Sequence, residues 1–464
     1  MSTRKTLNAL DRSFLASERR DVMMHVGALL QFSPPQAGAG DFGRQLREEL
    51  ARDTAVERPW NLRLLHPDLL ASPMQAWVED EHFDLEYHVR RSALASPGDQ
   101  RELGMLVSRL HGTPLDFHRP PWEAHFIEGL ENGRFAIYFK VHHALIDGYT
   151  GMRMLMRSLS SSPSDLETPM FFACPDVVAP RPAREDEATF DMLLRAVRDQ
   201  LGATKDVGRA LVNVVKALRE HDERLVSPLQ APKSVLNQKI TRSRRFATQQ
   251  VSIATVKRIA TAAGGTVNDV VLAICGASLR RFLEEQDALP ERSLIAMLPV
   301  NIRPKDDPGG SGNAVGSILA TLGTDIRDPK KRLAAIVAST RRAKEQLQGM
   351  SQNAILQYSA IAMTPMMLSF IPGAAGRFRP AFNVVVSNVP GPETPLYFRG
   401  WKLDEMYPLS IPFHGYGLNI TVQSYAGSLN FGFTGCRDTL PHLQRLAVYS
   451  RDVLEELEWA FPKG

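Results

Sequence analysis

Arg134-Phe135-Ala136-Ile137-Tyr138-Phe139-Lys140-Val141-His142-His143-Ala144-Leu145-Ile146-Asp147-Gly148 is an apolar run that ends in two histidines, with an aspartate four residues after the second and a glycine next. Phe135, Ile137, Phe139 and Val141 alternate with Ala136, Tyr138 and Lys140, the period of a strand with one buried face. Continued, that alternation aims His143 toward the apolar side and His142 away from it. Beyond Gly148 the period changes, and Met152, Leu155, Met156 and Leu159 recur at helical spacing. The unit predicted is strand, tight loop, helix, with an imidazole held rigidly at the strand end, as a general base requires. A histidine among apolar residues is more often simply packed. A shared metal is disfavoured, because neighbouring strand residues face opposite ways. Asp147 is placed to fix the loop, and Gly148 to supply a positive φ or a close backbone approach.

The pattern His142-His143-x-x-x-Asp147-Gly148 resembles that of acyltransferases of the chloramphenicol acetyltransferase-like superfamily. Further segments narrow the resemblance to the bacterial wax ester synthase/diacylglycerol acyltransferase family, in the family's order and across nearly the whole chain. They are Leu10-Asp11-Arg12-Ser13-Phe14, Pro114-Leu115-Asp116 through Pro121-Trp122-Glu123, Thr266-Val267-Asn268-Asp269-Val270, Pro299-Val300-Asn301-Ile302-Arg303-Pro304, Gly312-Asn313 and Ser387-Asn388-Val389-Pro390-Gly391-Pro392. One departure is Pro120-Pro121-Trp122 where the family usually has Pro-Leu-Trp.

The resemblance implies an α/β fold of two chloramphenicol acetyltransferase-like domains, each a mixed sheet with flanking helices, and an active-site tunnel between them. It implies transfer of a long-chain acyl group from acyl-CoA, as donor substrate and with no cofactor, to a fatty alcohol or to diacylglycerol. His143 is then the general base, His142 its support and Asp147 a loop anchor. Arg303 is either the partner of Asp147 or a surface residue before Pro304. Asn268 is either an oxyanion donor or the N-cap of the helix near Asp269. Trp122 and Gly148 are assigned to the substrate site, with a purely structural Trp122 as the other reading. Ser387 to Pro392 and Phe413-His414-Gly415-Tyr416-Gly417 read as architectural turns. The chain contains no Gly-x-Ser-x-Gly elbow, which favours direct attack in a ternary complex over an acyl-enzyme. Two other functions share the superfamily: a carrier-protein-dependent condensation enzyme and a non-catalytic lipid-binding relative.

The bulk properties fit. At 464 residues the chain exceeds one ordinary core. A net charge of +4 suits anionic surfaces or phosphate-bearing substrates but argues against nucleic acid. Three scattered cysteines, Cys174, Cys275 and Cys436, make neither a disulfide framework nor a zinc site. Met1 to Asn8 has no apolar run behind its charges, so the expected location is cytoplasmic, peripheral on the inner membrane or on lipid inclusions. The segment 361–372 is broken by Pro365 and Pro372 and is shorter than the roughly 18 apolar residues of a spanning helix. It reads as a buried helix or as the methionine-rich wall of an acyl channel.

The expected division is a first domain over 1–160, a connector over 161–235 rich in Ser and Pro at its start, and a second domain over 236–464. Two amphipathic stretches in the connector, Phe190 to Leu201 and Leu211 to Leu218, either join the domains or lie on a membrane surface. Arg242, Arg244 and Arg245 form a solvated face or a phosphate contact. Ala273 to Leu283 reads as a helix, and Val384-Val385-Val386 and Leu418 to Val422 read as strands.

Overall fold

The computed structural model describes residues 5–35, 55–174, 230–301, 315–348 and 379–462. In its first half the chain forms β1 (Lys5–Thr6), α1 (Ala9–Ser17), β2 (His25–Ser33), β3 (Leu62–Leu64), β4 (Ala76–Glu79), α2 (Leu85–His88), β5 (Val89–Ala93), α3 (Gln100–His111), β6 (Trp122–Glu128), β7 (Phe135–His142) and α4 (Gly148–Met156). The second half forms β8 (Arg244–Ser252), α5 (Ile253–Ala262), α6 (Val267–Glu284), β9 (Ile295–Asn301), β10 (Val315–Thr321) and α7 (Pro329–Gln348). It continues through β11 (Val384–Val389), β12 (Tyr397–Phe398), β13 (Trp401–Leu409), β14 (Leu418–Tyr425), β15 (Ser428–Cys436) and α8 (Arg445–Ala460). The connecting stretches expected over 190–218, and Arg303, Gly312-Asn313 and segment 361–372, lie outside the described residues.

Among the described residues the strands form two six-stranded mixed sheets, β12-β13-β2-β7-β6-β5 and β10-β9-β11-β14-β15-β8, beside a small sheet β1-β4-β3. In the first, only β5 and β6 run parallel; in the second, β11 lies parallel to both β9 and β14. The linear boundaries therefore do not divide the sheets. Strands β12 and β13, expected in the second domain, complete the first sheet, with β13 antiparallel to β2 from Lys402 opposite Ser33 to Leu409 opposite Gly27. The start of the expected connector is not free either. Ser160 bridges to Tyr397, and Phe171 and Phe172 are buried against the first sheet's core.

The single buried face expected of β7 is corrected. All eight residues of β7 are buried. Phe135, Ile137, Phe139 and Val141 pack with Trp60, Trp122 and Phe171, as the alternation predicts. Ala136 and Tyr138 point into a second core with Leu103 and Val107 of α3, Phe246 of β8 and Tyr407 of β13. Helix α3 and the second sheet cover the face that looked polar. Lys140 on that face is 0% exposed, because its ammonium lies 3.1 Å from Glu123 Oε2 and donates to the carbonyls of Leu110 and Thr113 at the end of α3. An unpaired charge could not be held there.

The same layer holds His25 and His111, edge to face at 4.7 Å and both buried. His25 Nε2 lies 2.9 Å from the His111 carbonyl, and His111 Nδ1 2.9 Å from the Tyr138 hydroxyl. Burial first, then His111 and Lys140, lowers the pKa of His25 well below its usual value. Burial first, then Arg244, lowers that of His111 to about 3.

The core on the second sheet is dominated by α6, whose residues from Asp269 to Leu283 are nearly all buried among that sheet and helices α5, α7 and α8. Among the described residues no single helix is long and apolar enough to cross a membrane; α5 and α6 pass such a test only as a pair bent by 99°.

Two outcomes follow from this packing. A Cβ at Gly432 of β15 would lie 2.1 Å from the Pro408 carbonyl oxygen of β13, an atom held by the ladder to β2. Gly432→Ala is expected to lower stability by about 1–3 kcal/mol in denaturant titration, whereas a melt identical to wild type would contradict the close approach. His25 and His111 have pKa values depressed in the fold, so both are neutral in either state above the unfolded value. As pH falls below about 6.5 the unfolded chain binds protons that the fold refuses, and stability drops toward pH 3 by up to about 1.4 kcal/mol per pH unit for each histidine. The denaturation midpoint is expected to fall between pH 7 and 4.5, and less steeply in His111→Asn.

Candidate active site

Strand β7 stops at His142, and the chain turns there, so His143 sits in the turn and not on the strand face that alternation assigned to it. Two bonds bend the turn back on the strand end, as Leu145 N and Ile146 N donate to the His142 carbonyl at 3.0 and 3.4 Å. His143 N donates to the Met24 carbonyl at 2.9 Å, tying the turn to the residue before β2. The His143 ring stacks on Phe14 of α1, centroids 4.1 Å apart. Its Nδ1 is buried without a hydrogen-bond partner among the described residues, while the residue as a whole stays partly exposed. Burial lowers its pKa to about 4; the Asp147 charge opposes this, and His142 adds to it. The imidazole is therefore neutral at physiological pH.

His142 is the more deeply enclosed of the pair, 1% exposed, with Phe117 edge-on at 5.2 Å. Its Nδ1 accepts the Ala144 N–H at 3.2 Å. That assigns its proton to Nε2, which faces Glu18 Oε2 at 3.5 Å. The same Glu18 oxygen accepts the Met24 N–H. Glu18 thus reaches both the buried histidine and the strand start that holds the His143 turn. Nothing in its local sequence, Ser17-Glu18-Arg19-Arg20, marked it, because its role depends on α1 folding back over β7.

Asp147 is the N-cap of α4. Oδ1 accepts the Thr150 N–H and Oδ2 the Thr150 hydroxyl, each at 2.8 Å. These contacts fit the loop anchor read from the sequence, and its expected mate Arg303 lies outside the described residues. The positive φ or close backbone approach expected of Gly148 is corrected: it opens α4 and is not among the positive-φ glycines, and among the described residues a Cβ there would meet nothing within 4 Å.

Of the two readings of Trp122, the packing favours the structural one. It is 0% exposed, donates from Nε1 to the Trp60 carbonyl at 2.7 Å and stacks on His88 at 4.6 Å. It belongs to the core behind β7 and has no surface to offer a substrate. Asn268 does not cap its helix. Thr266 caps α6 and forms a reciprocal capping box with Asp269, whose other oxygen accepts the Thr340 hydroxyl at 2.6 Å. Asn268, exposed at the second helical position, accepts from Asn388 Nδ2 at 2.6 Å. That contact joins the Val267-Asn268-Asp269 segment to the turn after β11. Among the described residues no hydrogen bond links Asn268 to the His143 turn.

Two further expectations are settled by geometry. Arg244 is buried, 4% exposed, and its guanidinium is used by the carbonyls of Asp21 and Thr241, so it is no phosphate contact. The 413–417 loop is architectural, as read. Gly415 has φ 83°, and His414 accepts the Ile240 N–H at Nδ1 while its Nε2 lies 3.3 Å from Asp21 Oδ2. Arg244 and His414 both pin Asp21 in the segment before β2.

The chain matches the model of the wax ester synthase/diacylglycerol acyltransferase catalytic domain over residues 7–271 and that of the corresponding C-terminal domain over 311–458. It is 52% identical to a Mycobacterium tuberculosis protein named as a candidate diacylglycerol O-acyltransferase, over 98% of this chain and 97% of that one. Identity to the O-acyltransferase WSD of Acinetobacter baylyi is 37%, over 99% and 98% of the two chains. The solved wax ester synthase/diacylglycerol acyltransferase of Marinobacter aquaeolei VT8 superposes with a TM-score of 0.78 at 38% identity, over 98% of this chain and 99% of that one. A condensation domain of the calcium-dependent antibiotic synthetase shares the fold at TM-score 0.55 and 16% identity, over 98% and 96% of the two chains. The chain thus belongs to the wax ester synthase/diacylglycerol acyltransferase family and is an O-acyltransferase.

Proposed function

We propose that this enzyme transfers a long-chain acyl group from acyl-CoA to a fatty alcohol or diacylglycerol, with His143 as general base. The observation that carries this reading is the neutral His143 imidazole, fixed by Phe14 and by the turn, with one ring nitrogen buried and the other left for a substrate. In the proposed step this nitrogen takes the proton of the acceptor hydroxyl as its oxygen attacks the thioester carbonyl carbon. The tetrahedral intermediate then collapses with cleavage of the carbon–sulfur bond. The imidazolium returns its proton to the departing thiolate, giving ester and free thiol. The balance closes with the two substrates alone and calls for no cofactor.

Asn268 is the proposed donor to the oxyanion. Its Oδ1 is taken by Asn388, which orients the amide so that its N–H bonds point elsewhere, as a preorganised donor requires. Asp147 is assigned to the loop and not to the proton path, since its carboxylate caps α4 through Thr150. The relatives named for diacylglycerol or wax ester synthesis support the acceptor class.

His143→Ala is expected to lose about 10²–10⁴-fold in kcat with radiolabelled palmitoyl-CoA and hexadecanol or diacylglycerol. Its unfolding midpoint is expected to stay close to wild type. Ester formation at the wild-type rate would remove His143 from the chemistry. The base must be neutral to accept a proton, so kcat/KM is expected to fall as pH drops through about 4 and not through the ordinary 6.5. A pH–rate profile with circular dichroism at each pH separates that limb from unfolding, and a limb near 6.5 in folded enzyme would contradict the assignment.

A further inference from the structure

Leu69 is 67% and Met74 73% exposed, and both lie on the short connection between β3 and β4. Isolated exposed apolar side chains are ordinary; a pair on a rigidly held loop is not explained that way. Gln75, itself buried, bonds His66 N, His66 O and Leu69 O at 2.9, 2.8 and 3.3 Å. From below, the Arg12 guanidinium of α1 donates to the carbonyls of Ser72, Pro73 and Gln75 at 3.2, 2.9 and 3.2 Å. A slack loop would fold its apolar residues inward. This one is clamped with them outward.

The loop's inner side continues toward the chemistry. Leu70 packs into a cluster with Phe14, Phe117, Ala144 and Leu145. Phe14 stacks on His143, and Ala144 and Leu145 follow it in the turn. The residue beside the exposed Leu69 thus shares a core with the residues that hold the base. Residues 65–75 contain no lysine or arginine, and the exposed Asp68 faces His118 at 3.3 Å. The tips offer an anionic surface no electrostatic attraction.

We propose that the 65–75 loop inserts Leu69 and Met74 into a lipid surface, by apolar transfer and not by charge, and so sets the His143 site at the phase that holds its lipid acceptor. The proposal rests on the reading of this chain as an enzyme that esterifies lipid alcohols. A lipid is favoured over a protein because the loop is anchored in the core that holds the His143 turn, where the lipid acceptor of this family has to arrive.

The test is flotation of the full chain with phosphatidylcholine vesicles carrying diacylglycerol, with and without phosphatidylglycerol. The Leu69→Ser/Met74→Ser double variant is expected to bind about tenfold more weakly or worse, equally in both compositions. Trp459→Ser, which removes a large exposed side chain on α8 at 87%, is expected to bind as wild type. Transfer from acyl-CoA to a short, water-soluble alcohol should be unchanged in the double variant, which also shows that it is folded. Wild-type binding by the double variant would overturn the proposal. So would binding that needs anionic lipid, or a wild-type dimer that the double substitution dissociates without any vesicle binding. Absence of the soluble-alcohol reaction in wild type counts against the enzymatic reading instead, and leaves the flotation result to decide the docking.

Discussion

A lysine ammonium in the middle of β7, without solvent, has to be neutralised where it stands. Lys140 meets Glu123 at 3.1 Å across the β6–β7 ladder and donates twice to the carbonyl end of α3. Burial pulls the lysine's pKa down, and Glu123 opposes it. On Glu123 burial acts upward, but His125, Lys140 and Arg90 together hold its pKa to about 2. Removing one partner of such a pair leaves a buried charge, which typically costs about 3–5 kcal/mol. The contact thus joins three elements that must agree in position: the strand whose end carries the histidines, its neighbour, and the helix packed between the two large sheets. The position of His143 inherits that agreement.

The two adjacent histidines divide the work by burial. His142 is enclosed, with its Nδ1 fixed by Ala144 N–H and its Nε2 facing Glu18. It shapes the turn. His143 stays partly exposed and gains its neutrality from desolvation. Phe14 holds its plane by stacking, so α1 contributes to the site from a segment more than a hundred residues away in sequence.

What could be read from residues alone was local. The strand–turn–helix around His143, the loop-fixing role of Asp147 and the helix and strands of the second half follow from period and from short-range bonding. Misreadings arose where a distant element decides the environment. Tyr138 and Lys140 looked like an outer face because alternation cannot show that α3 and β8 cover it. Trp122 could be read as lining the substrate site or as structural, and only Trp60 and Phe171, which close over it from separate segments, favour the structural reading. Asn268 resembled an N-cap by residue type, yet Thr266 and Asp269 satisfy the helix end between them. Glu18 and Arg244 act only after α1 and the Asp21 segment have folded against other parts of the chain.

Strand β13 fills the place beside β2 in the first sheet. Between the end of β2 at Ser33 and the start of β13 at Trp401 the ribosome must add 367 residues. At about 5–20 residues per second, β2 waits some 20–75 s for its neighbour. Throughout that interval one edge of β2 offers unpaired N–H and C=O groups beside apolar Leu29 and Leu30, the kind of edge on which nascent chains pair wrongly. Strand β7, which leads into His143, can pair with the other edge early, but its sheet closes only near the end of synthesis. A chain truncated before residue 401 therefore lacks β13 and presents an open edge of β2 in the first sheet.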